Sequence, residues 1–143
     1  MRRFILVLAL LILTSGCAQK APDAYYAMFE GTPNLFENKI YHLGTEIGDI
    51  LENQTGPTGA VRLSLSIHSE HRDKITESTV FYVSSGRLNL ATLAAYGPPL
   101  APGQAVLGFD SKMALRWFKV KTALGNSSLA AAARAESLLA TFQ

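Results

Sequence analysis

The hydrophobic pattern of this chain passes through three regimes: an unbroken apolar run, then alternation, then helical spacing. The alternation is clearest at residues 61–67, where Val61, Leu63, Leu65 and Ile67 are apolar and Arg62, Ser64 and Ser66 are polar. A period of two marks a strand with one buried and one wet face. It favours an antiparallel sheet or barrel over a parallel sheet covered on both sides. Residues 25–30 are aromatic and end at Gly31 and Pro33. They predict a first strand, although Ala27 and Met28 would also suit a helix. The β-branched and aromatic run 79–83 predicts another strand, and Ser84, Ser85 and Gly86 turn the chain after it. Residues 87–93 alternate at Leu88 and Leu90, and residues 105–109 close the β region.

The stretch 39–51 carries Ile40 and Tyr41, then Gly44, Ile47, Gly48 and Ile50. Each glycine is a candidate tight turn or bulge, because glycine tolerates positive φ. The pattern fits a strand, a sharp corner and a second strand. It fits an ordinary hairpin with a glycine-rich connection equally well. Residues 53–59 form a turn cluster around Gly56 and Pro57. Residues 69–76 are polar around Ile75, which fits a short turn or one helical turn with Ile75 packed inward.

The loop at residues 94–103 breaks a rule. Its prolines and glycines exclude regular structure, yet the stretch around it holds Leu93, Ala95, Tyr96 and Leu100. Connections normally run over the wet surface. This one is buried or faces something apolar. After Asp110 the period becomes helical. Met113, Trp117, Val120 and Leu124 predict an amphipathic helix with Asp110 or Ser111 as its N-cap. Gly125 and Asn126 interrupt it. Residues 127–142 predict a second helix, with Ala131, Ala135, Leu138 and Phe142 on one face.

Hydrophobic residues make up 48% of the 143, but residues 4–13 are one continuous apolar run behind Arg2 and Arg3. That is a secretory signal pattern, too short to be a comfortable permanent span; a retained anchor helix is the alternative. Cys17 is the only cysteine, so no intrachain disulfide can form. Residues 13–17 resemble the bacterial lipobox, with Thr14 in place of the most typical leucine. The resemblance implies cleavage before Cys17 and lipid on its sulfur, where more than one acyl chain gives a stable tether. A free thiol is the alternative. Ala18, rather than Asp, follows the cysteine and leans toward the outer membrane over the inner one.

Charge is uneven. Residues 21–110 hold ten acidic and five basic groups, and residues 111–143 hold five basic and one acidic. An acidic body argues against nucleic-acid binding. The basic tail could face a membrane surface, an acidic partner or only water. No ordered catalytic or phosphate-binding motif is present. His68 and His71 are spaced for a metal only on a helix, and they follow a strand. Glu46 and Asp49 flank Gly48 and could be an acid–base pair, but they fit the outer positions of the corner better. No enzymatic activity, cofactor or metal is expected.

Ile40-Tyr41, Gly44, Ile47-Gly48 and Ile50 together resemble the signature of the MCE (mammalian cell entry) domain family. The later features keep that family's order: a glycine turn, the alternating strand 61–67, Ile75, a strand at 79–83, an apolar loop and a last strand. The likeness covers residues 24–110. One departure is Asn34 to Asn38, which keeps Leu35 but lacks the family's flanking glycines. The resemblance implies a mainly β fold: a small antiparallel barrel of about seven strands at 24–110, followed by a helical tail at 111–143. Residues 1–16 would be the signal and 17–23 the lipidated tether. It also implies a homohexameric ring that passes phospholipid or another hydrophobic molecule across the bacterial envelope. Its partners would be a membrane reached through lipidated Cys17, and an ABC transporter or other lipid-transport components. The apolar stretch then becomes a pore loop with Leu88, Leu90, Leu93, Tyr96 and Leu100 as candidate lipid-facing residues. The alternative for these side chains is the barrel's own core. The alternative for the protein is a monomeric, non-transporting adaptor lipoprotein.

Overall fold

The computed structural model describes residues 24–123 and 126–142. The signal segment, the tether, Cys17 and Leu124 therefore lie outside the described residues. Among the described residues there are seven strands: β1 (Tyr25–Phe29), β2 (Lys39–His42), β3 (Thr45–Thr55), β4 (Val61–Ile67), β5 (Thr79–Ser84), β6 (Arg87–Thr92) and β7 (Ala105–Phe109). A 3₁₀ helix, Ser69–Lys74, joins β4 to β5. Two α-helices follow the strands: α1 (Lys112–Lys121) and α2 (Ser127–Ala140).

The strands close into a barrel in the order β1-β4-β3-β2-β6-β5-β7, with β7 returning to β1. Closure leaves none of these strands at a free sheet edge. Four pairings are antiparallel, as expected, but β2–β6, β5–β7 and β1–β7 are parallel. The mixture follows from the connections. Hairpins can join only antiparallel neighbours, whereas the longer links after β1, β4 and β6 cross to strands that are not adjacent, which lets β2, β5 and β7 take parallel partners from elsewhere in the chain.

The two tight hairpins share one chemistry. Leu43 (φ 51°) and Gly44 (φ 80°) turn β2 into β3, and Ser85 (φ 53°) and Gly86 (φ 73°) turn β5 into β6. Positive φ at both central residues matches the right-handed twist of the flanking strands. Gly48 has a different role. It pairs with Ile67 beside a register shift that leaves Ile47 extra, and it lies against the backbone of Ser66. The glycine-rich stretch is thus a tight hairpin followed by a bulge and a close backbone approach.

Alternation builds the core. Val61, Leu63, Leu65 and Ile67 of β4 point inward with Ala27 and Phe29 of β1, Ile40, Ile47, Phe81, Leu88, Leu90 and Val106. Ile75, from the polar link, is fully buried, as its isolated apolar character predicts. The barrel interior is filled by these side chains. A second cluster forms outside the wall: Val80 and Leu107 lie under Leu115 of α1 and Ala131 and Ala135 of α2, with Tyr82, Phe109 and Phe118 around them. Small alanines let α2 approach the wall closely. Ser111 caps α1, its hydroxyl accepting from the Ala114 amide at 3.0 Å, and Asn126 caps α2 by accepting from the Leu129 amide at 3.2 Å.

α1 departs from expectation in orientation. Its predicted apolar stripe faces solvent: Met113, Trp117 and Val120 are 60%, 59% and 67% exposed. The buried side is Leu115, with Phe118 packed on Phe109 at 5.2 Å between ring centroids. The helix has two apolar sides, and periodicity alone could not rank them.

Candidate functional site

Register places several features at one end of the barrel. β1 begins there beside β7, and Ala24 accepts from the Gly103 amide at 2.7 Å. The Leu43–Gly44 turn, the 3₁₀ helix and the connection from β6 to β7 share that end. The connection, residues 93–104, is the apolar loop of the sequence. It is tied down by its backbone. Leu93 N–H donates to Ser78 O at 2.8 Å, Glu77 N–H to Pro98 O at 3.0 Å, and Leu100 N–H to Ile75 O at 3.1 Å. A bridge between Thr76 and Pro99 adds to these. Such anchoring satisfies polar groups that an apolar loop would otherwise leave stranded.

The loop divides its apolar side chains between two directions. Leu100 turns inward and joins the core. Tyr96 stands out into solvent at 93% exposure. Between this loop and α2 runs a groove of about 620 Å³, lined on one side by Tyr96, Gly97 and Leu100 and on the other by Leu129, Ala132 and Leu139. Its polar members are Glu77, Ser78, Thr79, Gln104, Asn126, Ser128 and Glu136, and the Ser128 hydroxyl donates to that of Ser78 at 3.1 Å. A concave wall that sets apolar side chains beside polar ones suits an amphiphile.

The sequence-predicted residues separate accordingly. Leu88 and Leu90 are in the barrel core, at 0% and 4% exposure, while Leu100, 9% exposed, belongs to the core and shows only an edge to the groove. Strand alternation explains the first two, because Leu88 and Leu90 share the inward parity of β6. Leu93 is half-buried against the outer cluster under the helices. Tyr96 alone of the five is freely exposed. Leu129, 68% exposed across the groove, was not singled out by sequence. Its signal was available: a large apolar residue on the helix side opposite the alanine stripe.

The polar candidates are structural in their contacts. Lys39 Nζ lies 2.5 Å from Asp49 Oδ1 and 3.2 Å from Glu46 Oε1, which ties the two carboxylates together. The hydrogen bond from Lys39 lowers the Asp49 pKa, and the same contact, followed by that to Glu46, raises the pKa of Lys39. His68 turns to Asp49 at 3.4 Å, while His71 Nδ1 lies 3.0 Å from Lys74 Nζ. The two imidazoles therefore have separate partners. Among the described residues no three His, Cys, Asp or Glu side chains gather as a metal site.

The fold and groove define a class: a closed seven-stranded barrel with a packed interior, two helices on its wall and an amphipathic groove at one end. No family model matches the chain. No curated protein matches it either. Among solved structures, a chain of the Acinetobacter MlaFEDB complex in its ATP-bound Vtrans1 conformation is similar, with a TM-score of 0.45 and 16% sequence identity over 85% of this chain and 93% of that one.

Proposed function

We propose that this protein is a lipid-anchored, MCE-type subunit of the bacterial envelope that binds phospholipid or another hydrophobic molecule and passes it along a ring-shaped complex. The observation that carries the reading is the tied-down apolar loop between β6 and β7, which holds Tyr96 in solvent beside a groove large enough for an acyl chain. The packed barrel interior adds a constraint. A lipid has no path through the barrel, so passage runs along outer surfaces shared between barrels, and a ring of copies supplies such a path. Tyr96 and Leu129 are the lipid-facing residues of this reading, and exchange of water for apolar lining drives binding. No covalent step is involved. Lipid on Cys17 tethers the chain to a membrane, the outer one in preference to the inner, and an ABC transporter is the partner class that the family resemblance implies.

The test is native mass spectrometry of the full chain extracted from membranes. The expected spectrum is a ring-sized oligomer carrying lipid, with Tyr96→Asp losing the lipid while keeping the fold. A lipid-free monomer would refute transport and favour the adaptor reading.

A further inference from the structure

The outward side of α1 is unusual in composition as well as exposure. At roughly 100° per residue, Val120, Met113 and Trp117 fall within about 60° of arc, opposite the side that packs on the barrel. Arg116 borders this stripe on one edge and Lys121 on the other, with Lys112 and Lys119 beyond Arg116. The helix contains no acidic residue. Among the described residues none of its four cations is ion-paired within the chain. Phe36, 77% exposed, extends the apolar surface: its amide donates to Gly86 O at 2.8 Å, and it shares a groove with Lys112, Met113 and Arg116. Asp110 is the one carboxylate in that groove.

An apolar stripe with a tryptophan at its centre and cations on both edges matches a helix lying in the headgroup layer of an anionic bilayer. The indole suits that boundary because one edge is polar and the body is apolar. No helix among the described residues is long and apolar enough to cross a membrane, so α1 would lie on the surface. The chain's own geometry favours a bilayer over an acidic protein. If residues 1–17 hold the anchor, residues 18–24 span up to about 25 Å when extended. A five-residue strand such as β7 spans only about 17 Å, so the tether allows the wall carrying α1 to reach the same membrane. A face too weak to bind alone suffices once tethering raises its effective concentration to the millimolar range, on the order of that for short linkers.

We infer that the face formed by Phe36, Met113, Trp117 and Val120 docks on an anionic lipid surface and lays the tethered barrel against the membrane. The inference rests on the N-terminal segment being an anchor, and it does not require lipid transport. Trp117 is the only tryptophan in the chain, so indole fluorescence reports on this face alone. Full-length protein is reconstituted into phosphatidylcholine vesicles and into vesicles with about one-third phosphatidylglycerol, the anionic component attracting each nearby cation. Flotation checks the anchor in both. Expected are a blue shift of Trp117 and protection from acrylamide only with anionic lipid, reversed by salt as screening shortens the reach of the cations. Arg116→Gln with Lys121→Gln should lower the docked-to-undocked ratio about thirtyfold, roughly fivefold per cation. The Arg116→Lys with Lys121→Arg control should keep the ratio. Equal spectra in the two floating samples would overturn docking while leaving the anchor intact. A shift that needs no vesicles and grows with protein concentration would assign the face to a second copy and also overturn it.

Discussion

Gly44 and Gly48 look interchangeable in the sequence, four residues apart in one stretch, but the structure separates their costs. At Gly44 φ is +80° and nothing lies within 4 Å of a Cβ placed there. Alanine would suffer only left-handed backbone strain, about 1 kcal/mol. At Gly48 no left-handed φ is involved. The new Cβ would instead meet the Ser66 carbonyl oxygen far inside contact distance and the Ile67 Cα at 3.1 Å. Those atoms are backbone of β4, held between β1 and β3, and cannot rotate away as a side-chain tip would. Overpacking of this kind costs about 1–3 kcal/mol and more when the neighbour is rigid, so we expect about 3 kcal/mol for Gly48→Ala. For a chain of this length the losses correspond to melting-point drops of roughly 12 °C for Gly48→Ala and 4 °C for Gly44→Ala. Urea and thermal unfolding of the two variants, followed by far-UV circular dichroism, measure the difference. Equal losses, or a Gly48→Ala loss under about 1 kcal/mol, would refute the close approach of β3 and β4 and leave only conformational preference as the glycines' role.

Leu88→Ala should cost about 2–5 kcal/mol, because it opens a cavity at a fully buried core position, whereas Tyr96→Asp should stay within about 0.5 kcal/mol of wild type; thermal unfolding of both ranks them. The Lys39–Asp49 contact makes a pH prediction. Because the folded Asp49 pKa lies below 3.8, its contribution is present above that value and fades as pH falls through the folded pKa. The raised Lys39 pKa gives the mirror case, present below 10.5 and lost as pH rises through the folded value. Asp49→Asn should therefore flatten the pH dependence of the urea midpoint at the acid limb, and because the pair is solvent-exposed the change should be small.

How much was legible follows from which interactions are local. Strict alternation at Val61–Ile67 located β4 to the residue, since that strand's parity is written in its own side chains, and the short apolar run 105–109 located β7 without showing its parity. The two hairpin turns were visible as glycines, though not the pairing of Leu43 and Ser85 in left-handed geometry, which those side chains do not advertise. The three parallel pairings were not legible, because a strand does not encode its neighbour's direction. The surroundings of the pore-loop candidates were hidden for a related reason. Leu88, Leu90 and Leu100 are apolar for the sake of the core, and only the placement of β6 against β2 and β5 shows it. Periodicity found α1 but named its outer side as the buried one, because Met113, Trp117 and Val120 are as apolar as Leu115 and Phe118 and only the barrel wall decides between them.

That decision has a functional consequence. Among the described residues the inward side chains form the barrel's own core, which leaves the outward-facing positions as the ones open to an apolar molecule. Those positions are costly to keep in water, and α1 did not need them: Leu115 and Phe118 already secure the helix to Val80, Leu107 and Phe109. Replacing Met113, Trp117 and Val120 by polar residues would leave that packing untouched and remove an aggregation hazard. Tyr96 makes the same case at the end of the barrel, where backbone hydrogen bonds to residues 75–78, rather than burial of its ring, hold the loop. The fold explains neither surface. Both sit on elements fixed by contacts elsewhere, which leaves these side chains free to meet something outside the chain.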